Sequence, residues 1–211
     1  MKCPVTWFVL ALLFLVGCSK TPDPTAPPVT EPPAILSAET QAAAVQRGKA
    51  IVAETFSLLS SNLQSAIQQG GVSNALPFCS LAASPLTAGM AGKHGVTIRR
   101  VTHKPRNPAD RANATEVAIL NHFEIGLTST NLLPPLVTNL TASTTTFFAP
   151  IVLNNELCLK CHGEPGRDIA PENVAVIQRL YPQDEATGFK LGQLRGAWRI
   201  DIPLASLPRA P

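Results

Sequence analysis

Aromatic residues make up only 5% of the 211-residue chain, with one Tyr and two Trp. Its core volume must therefore come mainly from aliphatic side chains. Charge is also sparse, at 15% of residues and a formal net charge of +3 at pH 7. No basic helix and no aromatic stacking platform is visible, which excludes a nucleic-acid surface. Outside the first 17 residues no long apolar run occurs, and no internal repeat is visible. There are four His and five Cys. A structural zinc site needs four closely spaced Cys or His ligands, and no second Cys pair accompanies the one present.

What is there begins at the N-terminus. Lys2 precedes an apolar run from Val5 through Val16, the pattern of a secretory signal. The run is shorter than the roughly 20 residues of a comfortable membrane span. It ends in Leu15-Val16-Gly17-Cys18, which resembles the lipobox of bacterial lipoproteins. That resemblance implies cleavage before Cys18, lipidation of Cys18, and anchoring on the periplasmic side of the cell envelope. Ser19 rather than aspartate follows, pointing to the outer membrane. Residues 18–36 are rich in Pro and Thr with little bulky apolar content, so they read as an extended linker. Residues 37–211 have the length of one domain.

The most informative stretch is Cys158-Leu159-Lys160-Cys161-His162, the C-x-x-C-H arrangement of a covalent haem attachment site. Two sulfurs three residues apart on a tight turn can reach two vinyl groups on one porphyrin edge. The next residue, His162, can then swing under the ring and bind iron. Gly163 and Glu164-Pro165-Gly166 release the chain from that turn. A thioredoxin-like redox pair would need a βαβ context and leaves the histidine without a role.

The folded part reads as follows. Val45, Val52, Phe56, Leu59, Leu63 and Ile67 predict a long amphipathic helix over 38–69 with one buried stripe, ended by Gly70-Gly71. A second, short helix is expected from Ser73 as N-cap to Leu81-Ala82. Residues 96–102 are β-branched and predict a strand. Lys104 to Pro108 form a turn-rich basic loop, followed by a helix from Asp110 to about Ile125. Residues 126–143 show no period. Thr144 to Leu153 is β-rich, with Pro150 marking an edge or an end. Pro171 opens a further helix, and the run from Gly188 to Ile202 suggests a β-hairpin. This order is that of an α+β domain.

These residues resemble a known family, the single-haem c-type cytochrome domain with a PAS-like haem-sensor fold, catalogued as a domain of unknown function. The resemblance is carried by Phe78-Cys79-Ser80, Ile98-Arg99-Arg100, Arg106-Asn107-Pro108 and Phe148-Ala149-Pro150-Ile151. It continues through Cys158 to Gly163 and Tyr181-Pro182-Gln183-Asp184 with Gly188. It implies a PAS-like antiparallel sheet flanked by helices, a long N-terminal helix and one covalently bound haem c. Cys79 is otherwise a lone thiol, readable as a buried structural group. Met90, His94, His103 and His122 are alternative sixth ligands to iron. The resemblance implies Cys79 in that place, opposite His162. Adjacent strand residues face opposite ways, so only one of Arg99 and Arg100 can face the haem. The family match and the Arg106 turn suggest Arg100 and Arg106 as partners of the haem propionates.

The expected function is electron transfer by a lipid-anchored mono-haem cytochrome, with an unidentified redox partner protein in the envelope. The alternative is a haem-based redox or gas sensor acting through a separate partner, since the chain stops at Pro211 without an output domain. Enzymatic chemistry is not expected, because a six-coordinate haem offers no vacant site.

Overall fold

The computed structural model describes residues 35–127, 133–139 and 141–208. The expected signal segment, Cys18 and all but the end of the Pro-rich linker lie outside them. Helix α1 (Ala38–His94) is N-capped by Ser37, whose hydroxyl accepts from Thr40 N at 3.1 Å. It is broken at Gly70 and Gly71, and Gly71 adopts φ 72°, which only glycine takes without strain. The expected helix end is thus a break between two arms. The second arm does not stop near Ala82 but runs to His94, capped by Gly95 at φ 62°. Pro77 and Pro85 lie inside it, and each removes a backbone donor. Burial of Ala75, Leu76, Thr87 and Met90 offsets that loss. Ser73 does not serve as a cap; its hydroxyl donates to Asn173 Oδ1 at 2.6 Å.

The buried line of the first arm also differs from the expected stripe. It runs through Ala44, Gly48, Ile51 and Thr55, while Phe56 is 59% exposed. Val52 and Leu59 pack alongside and are partly buried. Small residues win because the helix lies directly on the sheet: a Cβ on Gly48 would sit 2.3 Å from the Phe147 ring. Side-chain hydrophobicity alone could not show this.

The sheet has four strands in the order β1-β4-β3-β2, antiparallel throughout. These are β1 (Thr97–Val101), β2 (Leu136–Asn139), β3 (Thr144–Val152) and β4 (Leu194–Pro203). Strand β2 lies in the stretch that showed no period. Pro150 lies on β3 beyond the reach of β2, where only β4 is its neighbour, so its missing N–H is tolerated. The expected C-terminal hairpin is instead one strand, β4, inserted between β1 and β3. Its partners lie far back in the chain, which no local pattern reveals.

Alternation sorts residues onto two faces. Ile98, Phe147, Trp198, Ile200 and Ile202 meet Ala44, Ile51 and Met90 of α1. Val101, Phe148 and Ala197 meet Leu120 and Phe123 of α2 (Ala114–Gly126) on the other face. Phe147 and Phe148 are both 0% exposed and serve opposite cores, each worth about 1.5–3 kcal/mol. Helix α2 starts at Asn113 rather than Asp110, because Asn113 and Glu116 close a capping box. Glu116 is also buried against Arg99 and Arg199, at 3.1 and 2.6 Å, so the cations on that face are neutralised. A third cluster of Leu76, Ile169 and Ile177 joins the second arm of α1 to α4 (Pro171–Leu180). The architecture is α+β, a four-stranded antiparallel sheet with a long N-terminal helix. Among the described residues no helix is long and apolar enough to cross a membrane.

Gly48→Ala provides a test of sign. Helix propensity alone would stabilise the variant by up to about 1 kcal/mol. The clash with Phe147 should instead destabilise it by about 1–3 kcal/mol in urea unfolding. A higher unfolding midpoint would show that the close approach is absent.

Candidate functional site

The two cysteines of the pair sit on α3 (Glu156–His162), a short helix entered from β3. Asn155 caps it by accepting from Leu157 N at 2.8 Å. Cys158 and Cys161 are three residues apart, so both sulfurs lie on one helix face. His162 is the last helical residue, and Gly163 N closes the helix on Leu159 O at 2.9 Å.

The segment 181–189 is wrapped against this helix by backbone bonds. Gly188 N donates to Gly163 O at 2.8 Å and Phe189 N to His162 O at 2.9 Å. Ala186 O faces His162 Nδ1 at 2.8 Å. A carbonyl can only accept, so Nδ1 carries the proton and Nε2 keeps its lone pair for a metal. Burial, with the positive fields of Arg195 and Arg106, holds the imidazole's pKa well below the ordinary histidine range; the Ala186 bond opposes them. The ring is therefore neutral, as a ligand must be.

Arg106 fixes this arrangement. Its Nε and Nη2 donate to the Asp184 carboxylate at 3.1 and 3.2 Å, and Nη2 also donates to Cys161 O at 2.7 Å. Asp184 Oδ1 in turn accepts from Ala186 N at 3.0 Å. A chain of contacts thus runs from Arg106 through Asp184 and Ala186 to the His162 ring. The guanidinium also lies over the Tyr181 ring, 5.6 Å from its centroid.

Cys79 comes from the second arm of α1 and belongs to the same neighbourhood. Burial pushes its thiol up, while the charges of Arg100 and Arg106 pull it down. Its neighbour Ser80 shares a hydrogen bond with Tyr181. Burial pushes Cys161 up to about 11, opposed by Arg106 and reinforced by Cys79 and Cys158. Cys79, Cys158 and Cys161 are all free thiols. Arg100 lies on the α1 face of β1, opposite Trp198, whereas Arg99 turns to Glu116 on the far face.

The expected residues Cys79, Arg100, Arg106, Cys158, Cys161 and His162 are therefore gathered in one place. Three of the other candidate iron ligands are held elsewhere. Met90 is packed in the core with Ile98 and Phe147, His94 bonds Glu54 at 2.8 Å, and His122 is exposed on α2. His103 lies on the turn after β1, its Nε2 buried without a partner. Among the described residues no group of three or more His, Cys, Asp or Glu could hold a bare metal ion. Paired thiols, a neutral imidazole with a free nitrogen and a set of arginines do fit an anionic porphyrin. Sequence reasoning missed the Ala186 carbonyl, Phe189 and Arg195. The Phe189 ring meets His162 edge-on at 6.4 Å between centroids, and Lys104 and Arg195 flank it at 4.6 and 5.4 Å.

Comparison with known proteins agrees with this arrangement. A family model described as Tll0287-like matches residues 36–203. The chain is also similar to a solved structure, that of the cyanobacterial heme-protein Tll0287. The two share 26% identity over 78% of this chain and 98% of that one, with a TM-score of 0.54. No curated protein matches.

Arg106 and Asp184 are only 13% and 7% exposed, so breaking the pair leaves a buried carboxylate uncompensated. Arg106→Ala should cost about 3–5 kcal/mol by chemical denaturation. Arg106→Lys should recover only part, because an ammonium cannot match the bidentate fork. A loss below about 1 kcal/mol, the range of a surface ion pair, would show that this contact does not hold the site together.

Proposed function

The chain belongs to the Tll0287-like family, and on that footing we propose that it is a haem protein of the c type whose role is electron transfer. The observation that carries the reading is the hydrogen bond of His162 Nδ1 to Ala186 O, one helical turn from Cys158. It leaves the Nε2 lone pair uncommitted to Ala186, on a helix that carries two thiols able to form thioethers with a porphyrin edge. When bound, the haem supplies a reversible one-electron couple. Everything else is the work of the polypeptide.

His162 would hold the iron through Nε2 as a neutral imidazole, and the 181–189 segment holds its ring in orientation. Cys158 and Cys161 would hold the porphyrin edge covalently, and burial favours the thiol form of Cys161 beforehand. Cys79 would hold the iron as a second protein ligand, a thiolate whose charge Arg100 and Arg106 would balance. A thiolate at Cys79 would favour the ferric state and hold the potential below that of His/Met cytochromes. We read the sheet and helices as PAS-like, and the chain as anchored through lipidated Cys18 on the periplasmic side of the outer membrane. A partner protein in the envelope exchanges the electrons, and no enzymatic turnover is involved.

Sensing is the second reading, and what favours it is the burial of Cys79, which pushes its thiol up against the charges of Arg100 and Arg106. A Cys79 that kept its proton would hold the haem less tightly and would leave room there for a diatomic gas.

Low-temperature electron paramagnetic resonance of the oxidised protein tests the ligand set. The wild type should give a low-spin thiolate/imidazole spectrum, and Cys79→Ser should change it while keeping the haem covalently attached. A wild-type spectrum of the bis-His or His/Met kind, unaltered in the variant, would overturn the assignment.

A further inference from the structure

Arg195 is a residue that the ligand set above does not use. It is the extra residue of a β-bulge: Ile151 pairs with Gly196 and Val152 with Leu194, leaving Arg195 unpaired between them. A bulge of this kind re-aims a side chain that regular alternation would send elsewhere. Thr102 anchors both ends of the residue. Its hydroxyl donates to Arg195 O at 2.7 Å and accepts from Arg195 Nη1 at 2.9 Å. Nη1 also donates to Lys104 O at 3.0 Å. The guanidinium carbon then lies 5.4 Å from the Phe189 centroid, and Phe189 contacts the His162 ring. The arginine is thus held rigidly beside the imidazole side of the site.

Its electrostatics are incomplete. The Arg195 Nε–H is buried and has no hydrogen-bond partner among the described residues. Among the described residues no carboxylate forms an ion pair with Arg195, whereas Arg106 has Asp184 and Arg199 has Glu116 and Asp201. Burial lowers its pKa to about 10, helped by the nearby charges of Arg106 and Arg100 and opposed by Asp184 and Asp110. A desolvated cation with an orphaned donor, close to two further cations, is costly unless an anion completes it. A guanidinium fork selects a planar, bidentate anion such as a carboxylate.

We propose that Arg195 anchors a haem carboxylate through its unpartnered Nε–H, so that Arg195, rather than the already committed Arg106, is the propionate-binding arginine. This rests on the haem reading above. Arg106 keeps its structural role in orienting His162 through Asp184. Arg195 sets the carboxylate's position and the local positive potential. Free inorganic phosphate has related anion chemistry and is the rival occupant.

The test uses full-length holoprotein in the wild type, Arg195→Gln and Arg195→Lys. Covalent haem is quantified in each by the pyridine haemochrome of the denatured chain. Resonance Raman then reads the propionate bending modes, and spectroelectrochemistry reads the midpoint potential with and without added phosphate. Arg195→Gln removes a positive charge, so the ferric form should gain about tenfold over the ferrous, a fall of about 59 mV for one electron. The propionate modes should shift with it. Arg195→Lys keeps the charge but not the fork, so its potential should move less while its propionate modes still shift. If Arg195→Gln does not accumulate, the Raman result on Arg195→Lys decides alone.

Propionate modes and potential unchanged in both variants would overturn the proposal. So would unchanged modes together with a wild-type potential that responds to phosphate and a variant potential that does not. A wild type without haem would defeat the haem reading and this inference together. Haem-loaded protein indifferent to both substitutions would defeat this inference alone.

Discussion

The hydrogen bond from His162 Nδ1 to Ala186 O is the contact on which the remaining geometry of the site depends. It fixes the tautomer, orients the ring and leaves Nε2 available, three requirements of a metal-binding imidazole met by one main-chain oxygen. That oxygen is itself held. Asp184 binds the Ala186 N–H, Arg106 binds Asp184, and the same guanidinium returns to Cys161 O at the end of α3. Glu185 N adds a bond to Pro105 O at 3.0 Å, tying the segment to the loop that carries Arg106. Moving any member of this ring of contacts moves the imidazole.

The sheet keeps two electrostatic environments apart. On the α2 face, Arg99 and Arg199 stand directly opposite each other on β1 and β4, a repulsive pairing relieved by buried Glu116 between them. Arg199 is further held by Asp201, which also accepts from Thr146. On the α1 face, one residue along, Arg100 has no ion pair among the described residues, and Arg195 lacks one as well. The α2 face is neutral. The other retains excess positive charge where the paired thiols and His162 are gathered, which is what an anionic prosthetic group requires. The alternation of a single strand, β1, makes this division.

The Cys158 and Cys161 pair with His162 stands out in the sequence because the pattern is one of local spacing. Cys79 was legible as an unpaired thiol, and Arg100 as one of two alternating arginines, with the resemblance to a family deciding between readings. The α+β class followed from the order of elements. The remainder was hidden for identifiable reasons. The packing line of α1 runs through Ala44 and Gly48, where close approach, not hydrophobicity, decides burial. β4 sits mid-sheet between strands distant in sequence, so its local glycines suggested a hairpin. Ala186 acts through its backbone, which carries no side-chain signature. Arg195 owes its direction to a bulge that exists only once β3 and β4 are paired.

The central claim is that one haem is bonded to the polypeptide through Cys158 and Cys161. It is tested most directly by mass spectrometry of the full chain, produced by export in a cell able to mature c-type cytochromes and then denatured. Beyond any lipid on Cys18, the intact mass should exceed that of the processed polypeptide by one haem, and a proteolytic peptide containing Cys158 to His162 should carry that haem increment. A chain of unmodified mass, with Cys158 and Cys161 both open to alkylation, would contradict the account.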